Sequence, residues 1–365
     1  MENLVLNRAF WKNRHVLITG HTGFKGAWLS LWLQDCGATV SGFALEPGTD
    51  PNLFDAAGVA EGMRSGIGDI RDLEAVRRAL SENEPDIVIH LAAQSLVRES
   101  YRDPVGTYAV NVMGTVNLLE AVRQHRLAGA ARTLQAVLIV TSDKCYENNE
   151  WHWSYRENDR MGGHDPYSNS KGCCELVVDA FRKSFFVAGD GGAPLGLATA
   201  RAGNVVGGGD WAADRLVPDA IRAFSGGEAV SIRYPDAIRP WQHVLEPLAG
   251  YLRLCERLVE DPERYSGGWN FGPDAASDTA VRQVVDRLVA RWGEGAGWVH
   301  DKADHPHEAT YLKLDSSRAR ALLDWQPRLD LTDTINLTVD WYRAFGRAED
   351  LRRVSIEQIR QYEHA

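Results

Sequence analysis

Short apolar runs rich in β-branched residues alternate with longer segments of helical periodicity over the first two hundred residues. The runs predict strands at His15 to Thr19, Thr39 to Ala44, Ile87 to Leu91, Ala136 to Thr141 and Gly196 to Arg201. The intervening segments predict helices at Gly26 to Cys36, Leu73 to Glu82, Tyr108 to His125 and Tyr167 to Ser184. Continuous apolar strands that alternate with helices favour a parallel sheet covered on both faces.

The pattern changes after Arg201, where a glycine-rich loop is followed by arginines interleaved with tryptophans. The segment Gly268 to Gly272 resembles a return to the sheet, and helical periodicity resumes after Ser277. We therefore predict an α/β fold, a Rossmann-like doubly wound parallel sheet with a smaller, discontinuous second domain at the carboxyl ends of its strands. The predicted boundaries are residues 1–202 and 244–275 for the sheet domain, and residues 203–243 and 276–365 for the second domain.

Composition and charge exclude several classes of protein. Of the 365 residues, 44% are apolar and 25% are charged, which is typical of a folded globular chain. The formal net charge of -10 argues against a general nucleic-acid binder. No apolar run is long enough to span a membrane, and the N-terminus lacks a signal-peptide pattern. Five cysteines, two of them adjacent, and no zinc-type spacing lead us to expect a cytoplasmic, reduced, metal-free protein.

A glycine-rich segment joins the first predicted strand to the first predicted helix. It consists of Gly20, His21, Thr22, Gly23, Phe24, Lys25 and Gly26. In this GxxGxxG spacing, the first glycine allows a tight turn and the second lets the backbone approach a pyrophosphate. The third allows close packing of helix on strand, and the start of the helix favours negative charge. The position between strand and helix favours a dinucleotide site over a merely structural turn.

The acidic residue that usually ends the second strand of an NAD site is missing from this chain. Gly42 to Leu45 occupies that region, and Glu46 follows slightly late. No arginine nearby could hold the additional phosphate of NADP. Asp69, before Ile70, could hydrogen-bond the adenine edge, although a capping role is an equally good interpretation. We hypothesise that the cofactor is NAD and that it is bound less tightly than is usual for this fold.

Tyr167 and Lys171 lie four residues apart at the start of a predicted helix, so they share one helix face. The ammonium of the lysine can lower the pKa of the phenol and hold the nicotinamide ribose. A tyrosine so tuned can take a proton from a sugar hydroxyl as hydride leaves the carbon. Ser142 follows the fourth predicted strand and could hydrogen-bond the same oxygen. These residue types, placed after a glycine loop, predict a catalytic cluster.

Together these motifs resemble the extended short-chain dehydrogenase/reductase superfamily, in its branch of nucleotide-sugar-modifying enzymes. The resemblance also rests on His90, Leu91, Ala92, Ala93, Gln94, Asn111 and the segment Arg201 to Val205. It implies that the sheet domain binds NAD, with the segment from His90 to Ala93 lining the cofactor cleft. It implies that Asn204 and basic residues of the second domain hold a nucleotide diphosphate.

The segment after Ser142 points to a subtype. Epimerases of the branch usually have small or apolar residues there, whereas hexose 4,6-dehydratases place an acid beside a base. Asp143 and Lys144 occupy those positions here. With Tyr155 to Asn158, Gly207 to Trp211 and Arg239 to His243, they resemble the dehydratases that act on CDP-glucose. The resemblance covers nearly the whole chain, although no residue pattern by itself fixes cytidine as the base.

The resemblance implies a dehydration that regenerates its cofactor in every turnover. Tyr167, helped by Ser142 and Lys171, deprotonates the C4 hydroxyl while NAD takes the C4 hydride. A base removes the C5 proton, Asp143 protonates the departing C6 hydroxyl, and the hydride returns to C6. Because an ammonium is not a base, three roles stay open for Lys144: a base with a depressed pKa, electrostatic stabilisation of the enolate, or a structural ion pair.

An acidic protein that binds two phosphates should concentrate arginines at one place. Candidate substrate contacts are Gln94, Arg98, Asn204, Arg215, Arg233 and Arg239. The resemblance implies that His307 borders the same substrate site. The alternatives for function are another nucleotide-hexose 4,6-dehydratase, a nucleotide-sugar 4-epimerase or reductase, and a non-catalytic NAD sensor. The resemblance also implies a homodimer or homotetramer and a role in 3,6-dideoxyhexose biosynthesis for the lipopolysaccharide O-antigen.

Overall fold

The computed structural model describes residues 5–128, 134–186, 194–274, 278–293, 295–303 and 311–365. Its strands are β1 His15–Thr19, β2 Thr39–Ala44, β3 Arg64–Ile67, β4 Ile87–His90, β5 Ala136–Val140, β6 Gly196–Ala202, β7 Val205–Val206, β8 Ala229–Ile232, β9 Ile238–Pro240, β10 Gln242–His243, β11 Gly267–Phe271, β12 Asp278–Ala280 and β13 Gly297–His300. Its α-helices are α1 Arg8–Trp11, α2 Phe24–Asp35, α3 Leu53–Ala56, α4 Leu73–Asn83, α5 Val97–Arg102, α6 Pro104–Tyr108, α7 Gly114–Leu127, α8 Pro166–Phe185, α9 Leu216–Ser225, α10 Leu245–Glu260, α11 Pro262–Tyr265, α12 Val281–Trp292, α13 Ser317–Leu323, α14 Leu331–Gly346 and α15 Leu351–Glu363.

Within these residues, seven parallel strands form one sheet in the order β11-β6-β5-β4-β1-β2-β3. The strand order reverses between β1 and β4, which is the point where open α/β sheets bind their ligands. The prediction of a Rossmann-like, doubly wound parallel sheet is confirmed. The return of the chain to the sheet near Gly268 is also confirmed, because β11 pairs with β6. β3 is a strand that the hydrophobic pattern did not predict, because all four of its residues are exposed.

Helices cover both faces of the sheet, which explains why its inner strands are largely apolar. On one face, α2 and α10 pack against strand residues such as Val16 and Ile89. On the other face, α4, α7 and α8 pack against residues such as Leu17 and Val88. Trp28 of α2 is completely buried in the first of these layers. Burial of one large apolar side chain stabilises a fold by about 1.5–3 kcal/mol.

A second region stands beyond the carboxyl ends of the strands. It contains the two-stranded pairs β7–β10, β9–β12 and β8–β13, together with α9 and α12. The C-terminal helix α15 returns to the sheet region, where Tyr362 packs edge-on against Trp32 of α2 with ring centroids 5.7 Å apart. The division of the chain at the predicted domain boundaries stays a prediction. Within the described residues, no helix has the length and apolarity that a membrane span requires.

Candidate active site

A cavity of about 1180 Å³ opens at the carboxyl ends of the strands, between the sheet and the second region. Ligand pockets for one small molecule have about 300–1,000 Å³, so this cavity is large enough for a cofactor and a substrate together. Most of the residues predicted for cofactor, catalysis and substrate line it. They are Gly20, Thr22, Gly23, Phe24, Lys25, Gly26, Asp69, Ile70, Leu91, Ala92, Ala93, Arg98, Ser142, Asp143, Lys144, Tyr167, Lys171, Asn204, Arg215, Arg233 and Arg239.

The glycine loop has the shape of a cradle that side chains would fill. Gly20 has φ of +76°, and a Cβ there would lie 2.6 Å from the amide nitrogen of Ala92. A Cβ on Gly26 would lie 2.1 Å from the carbonyl oxygen of Gly20. The N-cap of α2 is Gly23, and no side chain caps the amides that follow it. The loop and these amides therefore fit the pyrophosphate of a dinucleotide.

The adenosine side of this cradle differs from the usual pattern. Leu45, which lines the cavity at the end of β2, is 57% exposed and offers no carboxylate to a ribose. Asp69 accepts two hydrogen bonds from Nε and Nη2 of Arg71, and these bonds lower the pKa of the carboxyl. The carboxylate of Asp69 is thus already engaged by a neighbour at the edge of the cavity.

Three of the predicted contacts lie behind the cavity wall rather than on it, namely His21, Gln94 and Asn111. His21 is fully buried, its Nε2 is 2.7 Å from Ser65 Oγ, and a Cβ on Gly42 would strike its ring. Asn111 is also buried, at the centre of a π-helical turn over residues 109–113 that interrupts the helix expected there. Its side-chain amide accepts from the backbone N–H of Gln94 at 2.9 Å and donates to the carbonyl of Gln94 at 3.0 Å. Asn111 is hydrogen-bonded inside the protein and His21 is held there through its Nε2, so both side chains shape the wall from behind.

The predicted catalytic tyrosine lies at the start of α8. Asp165 caps this helix by accepting from the amide of Ser168, and Pro166 occupies its first turn, so the sequence itself fixes where the helix begins. Tyr167 and Lys171 follow on one buried face. Burial raises the pKa of Tyr167 to about 12, whereas a hydrogen bond with Ser142 and the charge of Arg215 act to lower it.

Lys171 is buried beside the tyrosine, and its Nζ donates to the carbonyl oxygen of Val140 at 3.3 Å. Burial lowers the pKa of Lys171. We expected this ammonium to lower the pKa of the phenol, but the cation that acts on Tyr167 most strongly is Arg215. The lysine is held by the end of β5 and lines the cavity together with the tyrosine.

Asp143 is the buried acid of the site. Its side chain accepts from Ser142 Oγ at 3.0 Å, and the residue is only 3% exposed. Burial raises the pKa of Asp143, against the opposing charges of Lys144, Arg239 and Lys25. Gly203 leaves room for the carboxyl, because a Cβ there would lie 3.0 Å from Asp143 Oδ2. A carboxyl group with a raised pKa can serve as a proton donor.

Two further lysines flank Asp143 in the cavity. Lys144 is half-buried, and its backbone amide donates to Ser142 Oγ at 3.2 Å, which closes the turn. Lys25 extends from the glycine loop into the same cluster, where burial and the charges of Arg215 and Lys171 lower its pKa to about 8. The catalytic end of the cavity therefore carries a concentration of positive charge around one carboxyl group.

The candidate substrate arginines are paired with acids that the sequence analysis did not identify. Arg215 Nη1 donates to Asp210 Oδ2 at 2.8 Å, and its Nη2 donates to Ser95 Oγ at 3.0 Å. Arg98 forms an ion pair of 2.9 Å with Asp214. Both acids lie in the glycine-rich loop after β7. No local spacing predicts the pairing of Arg98 with Asp214, which are 116 residues apart, whereas Asp210 is a local partner, 5 residues before Arg215.

Arg233, Arg239 and Asn204 line the substrate side of the cavity. Arg239 is half-buried and its Nη1 donates to the carbonyl oxygen of Ile238 at 3.0 Å. His307 lies outside the described residues. Among the residues that are described, no group of three or more histidines, cysteines or acids could hold a metal ion.

Comparisons with known proteins agree with this geometry. The sequence model of the GDP-mannose 4,6 dehydratase family matches residues 17–338. The CDP-glucose 4,6-dehydratase of Salmonella typhimurium is 52% identical over 359 residues, which is 98% of each chain.

Two solved structures share the fold. A UDP-glucose-4-epimerase from Stenotrophomonas maltophila, with bound NAD and formylated UDP-arabinopyranose, has a TM-score of 0.76 at 23% identity and covers 92% of this chain and 100% of its own. MoeE5, in complex with UDP-glucuronic acid and NAD, has a TM-score of 0.73 at 25% identity, covering 91% of this chain and 99% of its own. From the family match and the extended identity, the chain belongs to the GDP-mannose 4,6 dehydratase family, within the extended short-chain dehydrogenase/reductases.

Proposed function

We propose that the protein is a lyase that converts CDP-glucose to CDP-4-keto-6-deoxyglucose, with NAD as a cofactor that is regenerated in each turnover. The observation that carries the proposal is a buried carboxyl group, Asp143, next to Ser142 and in one cavity with Tyr167 and Lys171. A 4-epimerase needs no acid for elimination. The 52% identity to the CDP-glucose enzyme of Salmonella typhimurium supports the same reaction and the cytidine nucleotide.

The first residues to act are those around Tyr167. The phenol takes the proton of the C4 hydroxyl, and its hydrogen bond with Ser142 steadies the charge that develops on its oxygen. The glycine-loop cradle would hold NAD, which would supply the hydride acceptor for C4 and the hydride donor for C6. Arg215 supplies positive charge near the phenol, so proton removal becomes easier at this buried position. Lys171 follows one helical turn later on the same buried face.

The turn that follows β5 carries the residues that act in the elimination of water. The ketone at C4 makes the C5 proton acidic, and loss of that proton leaves negative charge on the C4 oxygen. Asp143 gives its proton to the C6 hydroxyl, which departs as water; its raised pKa keeps this proton available. Lys144 acts at C5, either as base or as the charge that stabilises the enolate.

The variant Lys144→Met separates these two roles. If Lys144 is the base, the variant loses exchange of the C5 hydrogen of the keto sugar with solvent. If exchange persists while elimination slows, its charge is what matters. Wild-type rates of both steps would leave Lys144 with a structural role.

The substrate diphosphate is assigned to the second region. Arg215, Arg233 and Arg239 line that side of the cavity, and guanidinium groups bind phosphate oxygens in pairs. Asn204, half-buried after β6, adds a neutral donor at the same place. An acidic protein thereby offers local positive charge to an anionic substrate.

We assign looser NAD binding to the adenosine side of the cradle. Leu45 occupies the position where a ribose-binding acid is usual, and Asp69 is engaged by Arg71. Enzyme purified without added NAD should carry far less than one NAD per chain. A full complement of non-exchanging NAD would contradict this part of the proposal.

The assembly, location and pathway belong to the same proposal. Exposed apolar side chains on α6 to α8, among them Val105 at 77% and Leu176 at 62%, support a homodimer or homotetramer built on these helices. All five cysteines are free thiols, which supports the cytoplasm as the compartment. The product is suited to 3,6-dideoxyhexose synthesis for the O-antigen. Gel filtration at working concentration would contradict the assembly if it showed a monomer.

The function is tested by incubation with CDP-, dTDP-, UDP- and GDP-glucose, each with and without NAD. We expect a 4-keto-6-deoxy product from CDP-glucose, formed faster with added NAD. An isomerised sugar that has not lost water would identify an epimerase. A preference for another nucleotide would keep the chemistry and change the substrate.

A further inference from the structure

A buried ion pair lies directly beneath the catalytic turn. Glu175 is on α8 and Arg201 is on β6, and their side chains are 5% and 4% exposed. Arg201 donates to both carboxylate oxygens, through Nε to Oε1 at 2.9 Å and through Nη2 to Oε2 at 2.7 Å. Thr199 Oγ1 donates to Oε2 at 2.6 Å, so the carboxylate is fully enclosed by donors.

This pair contacts both ends of the turn that carries Asp143. On the side before the turn, Thr141 Oγ1 donates to Glu175 Oε1. On the side after it, Arg201 Nη1 donates to Tyr146 Oη at 2.6 Å. The turn formed by residues 142–145 is therefore held between two bonds to one ion pair.

The surrounding sequence makes room for the pair. A Cβ on Gly268 of β11 would lie 2.3 Å from Arg201 Nη2, so a side chain there would displace the guanidinium from its present position. Tyr146 Oη donates in turn to Asn270 Oδ1 at 2.7 Å, which ties the same network to β11. A buried pair costs desolvation that its own attraction often fails to offset, so stability alone is a weak reason for it.

Glu175 also stands one helical turn after Lys171, as Lys171 stands one turn after Tyr167. The titratable groups that act on Lys171 are Cys174 and Glu175 on its own helix, Cys145 from the catalytic turn, His90 from β4 and Lys25 from the glycine loop. Burial raises the pKa of both thiols and lowers that of His90 to about 3, so these three groups are neutral. Lys25 repels the ammonium, which leaves Glu175 as the anion of this set that favours it.

We propose that Glu175 and Arg201 are positioning residues for the catalytic cluster: the pair holds the turn that presents Asp143, and Glu175 keeps Lys171 in its ammonium form. Neither residue lines the cavity, so both act through others. The inference on Asp143 rests on the proposed function. The inference on Lys171 needs only that this lysine contributes to NAD binding.

The test uses Glu175→Gln in the full chain, with NAD affinity by calorimetry and turnover of CDP-glucose both measured across the alkaline pH range. Loss of the anion, with Arg201 left uncompensated, lowers the pKa of Lys171. The alkaline limb of both profiles should move to lower pH by about one unit or more. At neutral pH we expect kcat to fall about 10-fold with an unchanged KM, since a misplaced Asp143 affects the chemical step.

Matched variants separate this role from simple loss of stability. Glu256 is another buried glutamate, bonded to Trp11 Nε1 at 2.8 Å and remote from the cavity, so Glu256→Gln should lower thermal stability and leave both limbs in place. Thr141→Val removes the bond to Glu175 without changing charge; it should lower kcat and leave the limbs unchanged.

If Glu175→Gln does not fold, the double variant Glu175→Gln/Arg201→Met replaces the pair by neutral groups. It should still show a displaced limb of NAD affinity, although the displacement should be smaller than for Glu175→Gln alone, because no uncompensated guanidinium remains. A folded Glu175 variant whose limb and kcat match those of the wild type would overturn the proposal. If the wild type fails to convert CDP-glucose, the proposed function falls, whereas the NAD profile still decides the role of Glu175.

Discussion

The two walls of the cavity are built in different ways. The catalytic wall consists of the turn after β5 and the first turns of α8, where Asp143, Tyr167 and Lys171 are at most 8% exposed. The substrate wall consists of loops and two-stranded pairs, where Arg215 and Arg239 are half-buried. One wall holds its polar groups in fixed bonds to the backbone and to buried side chains. The other holds two of its cations in pairs with carboxylates, Arg215 with Asp210 and Arg98 with Asp214.

This difference fits two separate tasks: one wall is proposed to carry out proton transfer, and the other to bind the substrate. Groups that act on protons work best when fixed in a dry environment that shifts their pKa values. The groups proposed to bind the substrate must meet an anion that arrives from water, and ion pairs with Asp210 and Asp214 hold Arg215 and Arg98 in place. Changes in the catalytic wall should therefore lower kcat, and changes in the substrate wall should raise KM.

The largest expected effect belongs to Tyr167→Phe. Removal of the phenol oxygen takes away the base for the C4 hydroxyl, and kcat should fall about 10³- to 10⁴-fold. KM and NAD affinity should change little, because the ring still fills its buried site. Steady-state kinetics with calorimetric NAD binding measure both. A variant that kept a tenth of the wild-type rate would show that another group removes the proton.

Asp143→Asn should separate oxidation from elimination. The amide keeps the size and the bond to Ser142 but has no acidic proton, so we expect formation of the 6-deoxy product to slow about 10²- to 10³-fold. Oxidation at C4 persists, and reduced nicotinamide should accumulate on the enzyme and be visible in its absorbance. Loss of both oxidation and elimination would show that Asp143 supports the whole catalytic cluster and does not act in elimination alone.

Arg239→Gln tests the substrate wall. Loss of a charged hydrogen bond to phosphate should raise KM for CDP-glucose about 10- to 100-fold. Arg239 also acts to lower the pKa of Asp143, so its removal leaves the acid protonated and kcat should change little. A fall in kcat at constant KM would place Arg239 with the catalytic wall and break the comparison.

The smallest effect is expected for Asp214→Asn, which weakens the ion pair with Arg98 at the mouth of the cavity. Because both side chains are 38% exposed, water screens the pair, and KM should change about two- to fivefold. Arg98→Gln serves as the matched variant and should change KM to a similar extent. The two substitutions combined should add nothing further if the pair acts as one unit.

Local spacing explains which parts of the molecule the sequence could predict. The strand before the glycine loop and the Tyr167–Lys171 pair follow from periodicity and from an Asp-Pro helix start, which act within a few residues. The π-turn at Asn111 escaped prediction because its cause is tertiary, namely bonds to Gln94 and Ser170. The pairing of Arg98 with Asp214, and the bonds that Glu175 and Arg201 make to the catalytic turn, also depend on contacts between distant segments.

The predicted cofactor contacts also show that local spacing does not determine the direction of a side chain within a loop. The spacing of the glycine loop correctly places the loop between β1 and α2 at the cavity. Spacing alone did not show that His21, in the middle of that loop, turns inward against Gly42. Side-chain direction within a loop depends on the neighbours that the fold brings to it.

The central claim is that hydrogen moves from C4 to C6 within one active site while solvent supplies the hydrogen at C5. It is tested most directly with CDP-glucose labelled by deuterium at C4, followed by NMR and mass analysis of the product, with a parallel reaction of unlabelled substrate in deuterated water. The account predicts that the label appears at C6 of the 4-keto-6-deoxy sugar and that solvent deuterium enters at C5. A label that stays at C4, or a product that has kept its C6 hydroxyl, would contradict it.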